Sequence, residues 1–559
     1  QGLNDLTTIH QGLAKDSTAS AAYVQSQAAA SSTAEGLASL AKFAGSVAGS
    51  VAGAGAFVAV QAAASAVASG MAALTQTNQN IAKDSAASTA FTSAQAKATQ
   101  SSQGLADYQQ LNQNLAKDSA ASTAFTSVQA KAASTSEGRA QLTQLNQNLS
   151  KSPEASAAAT ALQASASATP EGVSVLKTLA EGLSLDSLAS SAFAAMQAAA
   201  SGVAEGLSSL TSMFKNLSAE PEAAAAFATY QATASDSPDG LKSLTDFATN
   251  LAKDTAASSA WTALQAAASG TASGLASIGK FLGNLAKEPE ASNAFTATQA
   301  SATQTPEGLQ SFQQLAKNLS KDSQASTNYT QLQAKAASTT EGRTQLTSLN
   351  QNLAKSPEAS ASLTALQATA SGSAEGLSAL KNLTEGLSFD KLASSAFAAM
   401  QAAASGVSEG LSALTSMFQN VSAEPEAAAA FAMYQATASE SPEGLKSLTS
   451  FATNLGKDSA ASSAWTALQA AASATTNGLA SIGKFLGNLA KEPEASTAYL
   501  GVQASAAHTE EGRTHLTNLN NNLAKEPAAS SNFLATVASA LTTDTGKANF
   551  SQLHKGLAQ

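Results

Sequence analysis

Amide side chains at fixed intervals are the residues of this sequence best suited to a repeated polar interaction. Glutamine and asparagine each recur at steps of 34 residues or multiples of 34, as at Gln27, Gln61, Gln95, Gln129, Gln299, Asn80, Asn114 and Asn318. Because an amide both donates and accepts hydrogen bonds, each can bond its equivalent or a loop backbone group in the next repeat. We interpret the rows as structural ladders. The alternative is a row of amides that binds a repetitive polymer such as a glycan.

Residues for catalysis or metal binding form no recognisable motif. The chain has no cysteine and four histidines, which excludes disulfides and thiolate metal sites. His508 and His515 lie seven residues apart, so they could share a helix face, but we interpret them as solvent-facing polar residues. No GxSxG, GxGxxG or P-loop motif occurs. The sequence predicts a protein that is not an enzyme and holds no cofactor.

A period of 34 residues runs through the chain. Stepping by 34 from Gly2 meets glycine at all 17 positions, including Gly36, Gly172 and Gly308. The series from Tyr23 is aromatic at 14 of 16 positions. A fixed period in this range indicates stacked helical units.

Prolines divide each repeat into two helices. All 11 prolines occupy two positions of the frame, 17 residues apart, represented by Pro289 and Pro306. Proline is favoured at the first position of a helix, so a helix A is predicted to start at Pro289 and a helix B at Pro306. Glu288 and Thr305 are the predicted N-caps. Each helix is predicted to present one apolar stripe to stacked neighbours.

The recurrent glycine is the third residue of helix B. Glycine inside a helix costs roughly 1 kcal/mol relative to alanine. Its presence in every repeat predicts that a neighbouring backbone comes too close there for a Cβ atom.

These patterns predict an all-α fold, an α-solenoid of 34-residue two-helix repeats that is elongated or superhelical. Residues 1–559 are predicted to be one continuous array of 16 units with a leading half-unit, in which a block near 145–300 recurs near 349–504. Residues 533–559, where Val537 replaces the glutamine, are interpreted as an atypical unit and a candidate cap. The uncharged segment from Ala44 to Asn80 keeps the frame, so we predict repeat helices there rather than a membrane span.

Charge is sparse, at 12% of residues with a net charge of −10. Much of it lies near predicted helix ends, where it matches the helix dipole. Little basic charge is then left to track phosphates, which disfavours a nucleic-acid partner.

Two classes of function follow. The first is a structural protein, secreted or displayed at the cell surface, whose copies assemble end to end into filaments, a sheath or a matrix, with Gly2, Leu3 and Leu557 as candidate junctions. The chain begins at Gln1 without an initiator methionine, from which we expect either a removed leader or a fragment of a longer array. The second class is a binding scaffold or adhesin stalk for a glycan or a cell-surface protein.

Overall fold

Thirty-three α-helices and no β-strand make up residues 2–558, the part of the chain that this computed structural model describes. Packing divides the chain into two compact units, Gln1–Asn284 and Leu285–Gln559. The predicted α-solenoid of two-helix repeats with a leading half-unit is confirmed, since one helix precedes 16 pairs.

The first seventeen helices are α1 Gly2–Leu13, α2 Ser17–Ser31, α3 Ala34–Val47, α4 Val51–Ser65, α5 Ala68–Ile81, α6 Ser85–Ala98, α7 Ser102–Leu115, α8 Ser119–Ala133, α9 Ser136–Leu149, α10 Pro153–Ala166, α11 Pro170–Leu183, α12 Ser187–Ser201, α13 Ala204–Ser218, α14 Pro221–Ala234, α15 Pro238–Leu251, α16 Thr255–Ala268 and α17 Ala272–Leu285. The next sixteen are α18 Pro289–Ala302, α19 Pro306–Leu319, α20 Ser323–Ala337, α21 Thr340–Leu353, α22 Pro357–Ser371, α23 Ala374–Ser388, α24 Lys391–Ser405, α25 Ser408–Ser422, α26 Pro425–Ala438, α27 Pro442–Leu455, α28 Ser459–Ser473, α29 Thr476–Leu489, α30 Pro493–Ala506, α31 Glu510–Leu523, α32 Pro527–Ala540 and α33 Asp544–Leu557.

Helix starts follow the prolines and their capping residues. Helices α18 and α19 begin at Pro289 and Pro306, as predicted. The Gly308 N–H donates to Thr305 Oγ1 at 3.1 Å, which is the predicted cap of α19. Glu288 occupies the N-cap position of α18, but its side chain accepts no bond from that helix. The prediction of a side-chain cap is therefore wrong for Glu288. Glu526, at the same frame position, accepts the Ala529 N–H at 2.7 Å, so the conformation of the glutamate and not its length decides the cap.

Within each unit the helices pack in a fixed order. Each helix lies against the helix three places along, as α4 does against α1 and α7. Even-numbered helices also lie against the next even-numbered helix, as α4 does against α2 and α6, whereas consecutive helices such as α6 and α7 touch little. The even-numbered helices are the predicted helices A, and we call them the core helices. The odd-numbered helices, the predicted helices B, are the outer helices.

Most core helices are more deeply buried than the outer helices. Helix α8 buries 11 of its 15 residues, including the six consecutive residues from Ala121 to Thr126. Six residues exceed one helical turn of 3.6 residues, so every side of α8 is covered. The outer helix α9 buries six of 14 residues on one stripe. The prediction of a single apolar stripe is thus wrong for helix A, because core helices also pack on each other.

The recurrent glycine lies where a core helix turns into the following outer helix. A Cβ atom at Gly36 or Gly172 would lie 1.9 Å from the carbonyl oxygen of Ala30 or Ala166, respectively, in the preceding core helix. At Gly2, which has no described helix before it, nothing lies within 4 Å of that position. The predicted close backbone approach is confirmed.

The uncharged segment from Ala44 to Asn80 keeps the helical frame, with α4 and α5 at the expected places. Helix α4 is a core helix and is rich in glycine and alanine. None of the helices within residues 2–558 has both the length and the apolar character needed to cross a bilayer.

Candidate functional site

The asparagines of the outer helices connect neighbouring repeats. Asn114 Nδ2 on α7 donates to Ser65 Oγ at the end of α4 at 3.0 Å, and Asn80 Nδ2 donates to Ser31 Oγ at 3.2 Å. The same bond joins Asn148 to Thr99, Asn216 to Ser167, Asn250 to Ser201, Asn284 to Ser235, Asn352 to Thr303, Asn420 to Ser371, Asn454 to Ser405, Asn488 to Ser439 and Asn522 to Ser473. We call this row of bonds the asparagine ladder. Each bond joins an outer helix to the core helix three places earlier.

A lysine extends many of these contacts. Lys117 Nζ donates to Asn114 Oδ1 at 3.0 Å, and Ser65 Oγ donates to the Ala62 carbonyl at 2.7 Å. The three hydrogen bonds run in one direction, from Lys117 through Asn114 and Ser65 to the Ala62 carbonyl, so each bond polarises the next. At Asn318, which is buried, Oδ1 accepts from Lys321 Nζ at 2.9 Å.

The residue types on the two sides of this contact vary together along the sequence, but the pairing could be recognised only from the structure. The two ladder partners are 49 residues apart. At all fifteen frame positions with a residue 49 places earlier, an asparagine has serine or threonine at that earlier place, and a glycine has alanine there. The three glycine–alanine pairs are Gly182 with Ala133, Gly386 with Ala337, and Gly556 with Ala507. Recurrence at 34 was easy to detect, whereas a pairing at 49 needs the packing order.

The glycine pairs are a second kind of junction. A Cβ atom at Gly182 would lie 2.7 Å from the Ala133 Cβ atom, so α11 and α8 approach more closely than an asparagine would allow. Arg139 Nη1 donates to the Ala133 carbonyl at 2.9 Å. Arg343 and Arg513 make the equivalent bonds to Ala337 and Ala507 at 2.9 and 3.0 Å. We call these three places the glycine junctions.

Removing both partners of one ladder bond should cost less than the sum of the single changes. Ser65→Ala leaves the buried Asn114 amide without its acceptor, and Asn114→Ala removes the bonds to both Lys117 and Ser65. Each change should lower local stability by about 1–2 kcal/mol. In the double variant the two effects should fall short of additivity by roughly 1 kcal/mol.

Native-state hydrogen exchange of amides in α4 and α7 measures these effects locally. Ser39→Ala is the control, because the Ser39 hydroxyl is exposed and bonds the Glu35 carbonyl of its own helix. Its effect should stay within about 0.5 kcal/mol. Additive effects of Ser65→Ala and Asn114→Ala would contradict a direct bond between them.

The core glutamines are buried. Gln27, Gln61, Gln95, Gln129 and Gln299 are each at most 9% exposed. The ladder asparagines Asn80, Asn114 and Asn318 are buried to the same degree. These amides face neighbouring helices, so an external polymer cannot reach them in the folded chain.

Tyrosine hydroxyls bond several of the core glutamines, which the ladder prediction did not foresee. Tyr329 Oη donates to Gln299 Oε1 at 2.7 Å, and Gln129 Nε2 donates to Tyr108 Oη at 3.2 Å. Burial raises the pKa of the Tyr329 and Tyr108 hydroxyls, so both stay protonated. A bond between equivalent glutamines joins Gln367 to Gln333.

A buried serine of the core helix was missed by sequence reasoning. Ser122 Oγ on α8 donates to the carbonyl of Leu115, the last residue of α7, at 2.9 Å. Ser88 and Ser156 make the same bond to Ile81 and Leu149. The signal was present, because serine occupies 13 of the 16 positions of this series. Each bond gives a second donor to the last carbonyl of an outer helix, which also accepts the backbone N–H three residues on.

The histidines lie on separate elements of the fold. His508 follows the end of α30, whereas His515 lies within α31, so the two do not share a helix face. Among residues 2–558, no group of three or more histidine, aspartate, glutamate or cysteine side chains is placed to hold a metal ion. His508 is exposed and His515 is partly buried. His10, by contrast, is fully buried on α1 and bonds Tyr23 Oη through Nε2 at 3.0 Å. Burial lowers the pKa of His10.

The candidate junction residues differ in exposure. Gly2 is exposed on α1, and Leu557 is 43% exposed at the end of α33. Leu3 is partly buried, with Cδ1 3.4 Å from the place of a Gly53 Cβ atom, so its own chain covers part of it.

Two other apolar side chains are exposed, although the equivalent residues of nearly all other repeats are buried. Ile9 on α1 is 57% exposed, although its frame position is buried in every other outer helix except for the partly buried Phe43. Leu534 on α32 is 67% exposed, although its position is buried in the fifteen other core helices. We call the surfaces around Ile9 and Leu534 the terminal faces. The C-terminal face also carries the half-buried Phe533 and Val537, so the candidate cap at 533–559 presents apolar side chains.

Open grooves lie above some core helices. One of about 720 Å³ lies over α4 between α1 and α7, with small residues such as Gly55 and Ala59 lining it. Another of about 660 Å³ lies over α30 between α27 and α33, where hydroxyl and amide groups of Thr453, Thr497 and Asn549 are among the lining residues. Both are open to solvent.

Comparisons with known proteins identify no relative by sequence. No family model and no curated protein matches the chain. A solved structure of the UNC-45 chaperone, described for binding and folding muscle myosin, is 11% identical over 97% of this chain and 86% of that chain, with a TM-score of 0.14. Kap121p bound to Nup53p is 9% identical over 90% and 77% of the two chains, with a TM-score of 0.13. She4p is 11% identical over 94% and 90%, with a TM-score of 0.12. Likenesses this weak carry no argument about function.

Proposed function

We propose that this chain is a structural protein whose copies assemble end to end into filaments. The observation that carries the proposal is the pair of terminal faces. Ile9 and Leu534 remain exposed at frame positions that the array otherwise buries or partly buries. A further helical repeat covers these positions elsewhere, and another copy of the chain offers such a repeat.

The chemistry of the two faces supports a contact between unlike ends. Burying a leucine or isoleucine side chain stabilises a contact by about 1.5–3 kcal/mol. A contact between unlike faces leaves one free face at each end, so it propagates into an open filament, whereas a contact between like faces closes at a dimer. Within each compact unit, the asparagine ladder holds neighbouring repeats together.

Threonine at position 534 should prevent assembly without disturbing the fold. Threonine is the residue that eight of the sixteen core helices carry at this position. Negative-stain electron microscopy and sedimentation velocity, at low and high concentration, should show filaments for the unaltered chain and no filaments for Leu534→Thr. Ile9→Thr should also give no filaments.

A mixture of the two variants tests the contact between unlike ends. Leu534→Thr keeps an intact N-terminal face and Ile9→Thr keeps an intact C-terminal face, so electron micrographs of the mixture should show end-to-end pairs that stop at two copies. End-to-end pairs formed by Ile9→Thr alone would show a contact between like faces. Single copies of the unaltered chain at every concentration, or filaments of both variants, would sink the proposal.

The grooves favour the alternative function, a scaffold that binds a glycan or a protein. The groove over α30 offers hydroxyl and amide groups to a hydrogen-bonding ligand. Under this alternative the unaltered chain stays a single copy in sedimentation, and the groove is the place to seek a ligand.

A further inference from the structure

Four large apolar side chains are exposed in two equivalent pairs away from the terminal faces. Leu185, between α11 and α12, is 70% exposed, and Leu188, in the first turn of α12, is 65% exposed. Phe389, between α23 and α24, is 79% exposed, and Leu392, in the first turn of α24, is 61% exposed. The pairs lie 204 residues apart, which is six repeats. We call them the first and second apolar pairs.

These residues depart from what the other repeats carry at the same places. The position of Leu185 and Phe389 is lysine in eleven repeats, and its remaining occupants are glycine, alanine or glutamine. The position of Leu188 and Leu392 is otherwise alanine, glutamate, glutamine or threonine. Large exposed apolar side chains at matched places indicate an interaction surface rather than scattered surface residues.

Both pairs are built on glycine junctions. Gly182 and Gly386 replace the ladder asparagine that holds a lysine in other repeats, and Leu185 and Phe389 stand where that lysine would be. The turns themselves are ordered by caps. Asp186 Oδ1 accepts from the Leu188 and Ala189 N–H groups at 2.8 and 3.1 Å. Each apolar pair therefore sits on a defined corner.

The repetition of the pair points to the kind of partner. Two side chains are a small surface compared with the ~800 Å² per partner of a standard interface, so one pair alone binds weakly. A partner that engages both pairs at once gains from effective concentration. A second copy of this chain carries the same two apolar pairs, so it offers two contacts of the same chemistry.

We propose that the two apolar pairs are lateral contact sites through which a second copy of this chain binds. The contact is separate from the terminal faces and stands whether or not the chain also assembles end to end. Within a filament it would join neighbouring filaments side by side.

The test is sedimentation equilibrium in the Leu534→Thr background, where end contacts are absent. The test variant combines Leu185→Lys, Leu188→Ala, Phe389→Lys and Leu392→Ala, all residues that other repeats carry at these positions. The background protein should pair reversibly as concentration rises, and the test variant should remain single. Altering one pair alone should weaken pairing at least about tenfold, because the second contact is lost.

The control is Lys253→Ala, which alters an exposed lysine at the frame position of Leu185. It should pair like the background protein. Equal helical content and melting temperature of all variants show that folding is unchanged. A background protein that stays single at every concentration, or a test variant that pairs equally well, overturns the proposal. Binding of the background protein, but not of the test variant, to neutral lipid vesicles without any pairing would also overturn it.

Discussion

Gly172→Ala is expected to lower the stability of its repeat by about 3 kcal/mol. The added Cβ atom would lie 1.9 Å from the Ala166 carbonyl oxygen and 2.6 Å from its carbonyl carbon. Both are backbone atoms of α10, so they cannot rotate away as the end of a side chain does. Relief requires α10 and α11 to separate at their corner, which disturbs the packing of both.

Gly55→Ala is the matched control, because it is also a glycine within a helix but has nothing within 4 Å of a Cβ atom. There alanine should stabilise α4 by roughly 0.5–1 kcal/mol, since it restricts the unfolded chain and favours the helix. Hydrogen exchange of the helix containing each substitution measures both changes. Equal effects at the two glycines would contradict the steric explanation for the recurrent glycine.

Gly182→Asn, which installs the residue of the asparagine ladder at a glycine junction, is expected to destabilise by about 2–3 kcal/mol. The new Cβ atom would lie 2.7 Å from the Ala133 Cβ atom and 3.1 Å from the carbonyl carbon and oxygen of the same residue. The amide would also lack a hydroxyl acceptor, because alanine replaces serine at its partner position. Asparagine is the common residue at this frame position in the other repeats.

Two further variants separate the steric effect from the missing acceptor. Gly182→Ala should reproduce most of the loss, because the Cβ atom alone causes the close contact. Gly182→Asn combined with Ala133→Ser supplies the hydroxyl but not the space, so it should recover little. Thermal unfolding followed by circular dichroism, together with hydrogen exchange in α8 and α11, measures these differences. Full recovery in the combined variant would show that the hydroxyl, not the helix separation, defines the junction.

The asparagine ladder shows how far recurrence alone could lead. The 34-residue series identified Asn80, Asn114 and Asn318 as candidates for contacts between repeats. It could not identify Ser65 as the partner of Asn114, because that pairing depends on which helix packs three places away. The glutamine series recurs just as regularly, but some of its amides bond tyrosine hydroxyls and not the glutamines of neighbouring repeats.

Local chemistry let the sequence by itself determine the all-α class, the helix starts at Pro289 and Pro306, the cap at Thr305 and the glycine at each corner. These features depend on residues within one repeat, so a repeated pattern displays them directly. Only the tertiary structure decided that helix A is the buried core, that Gly182 must face Ala133, and that Ile9, Leu534 and the two apolar pairs stay exposed. Those outcomes depend on which helices cover each surface, and helices two and three places apart in the chain supply that cover.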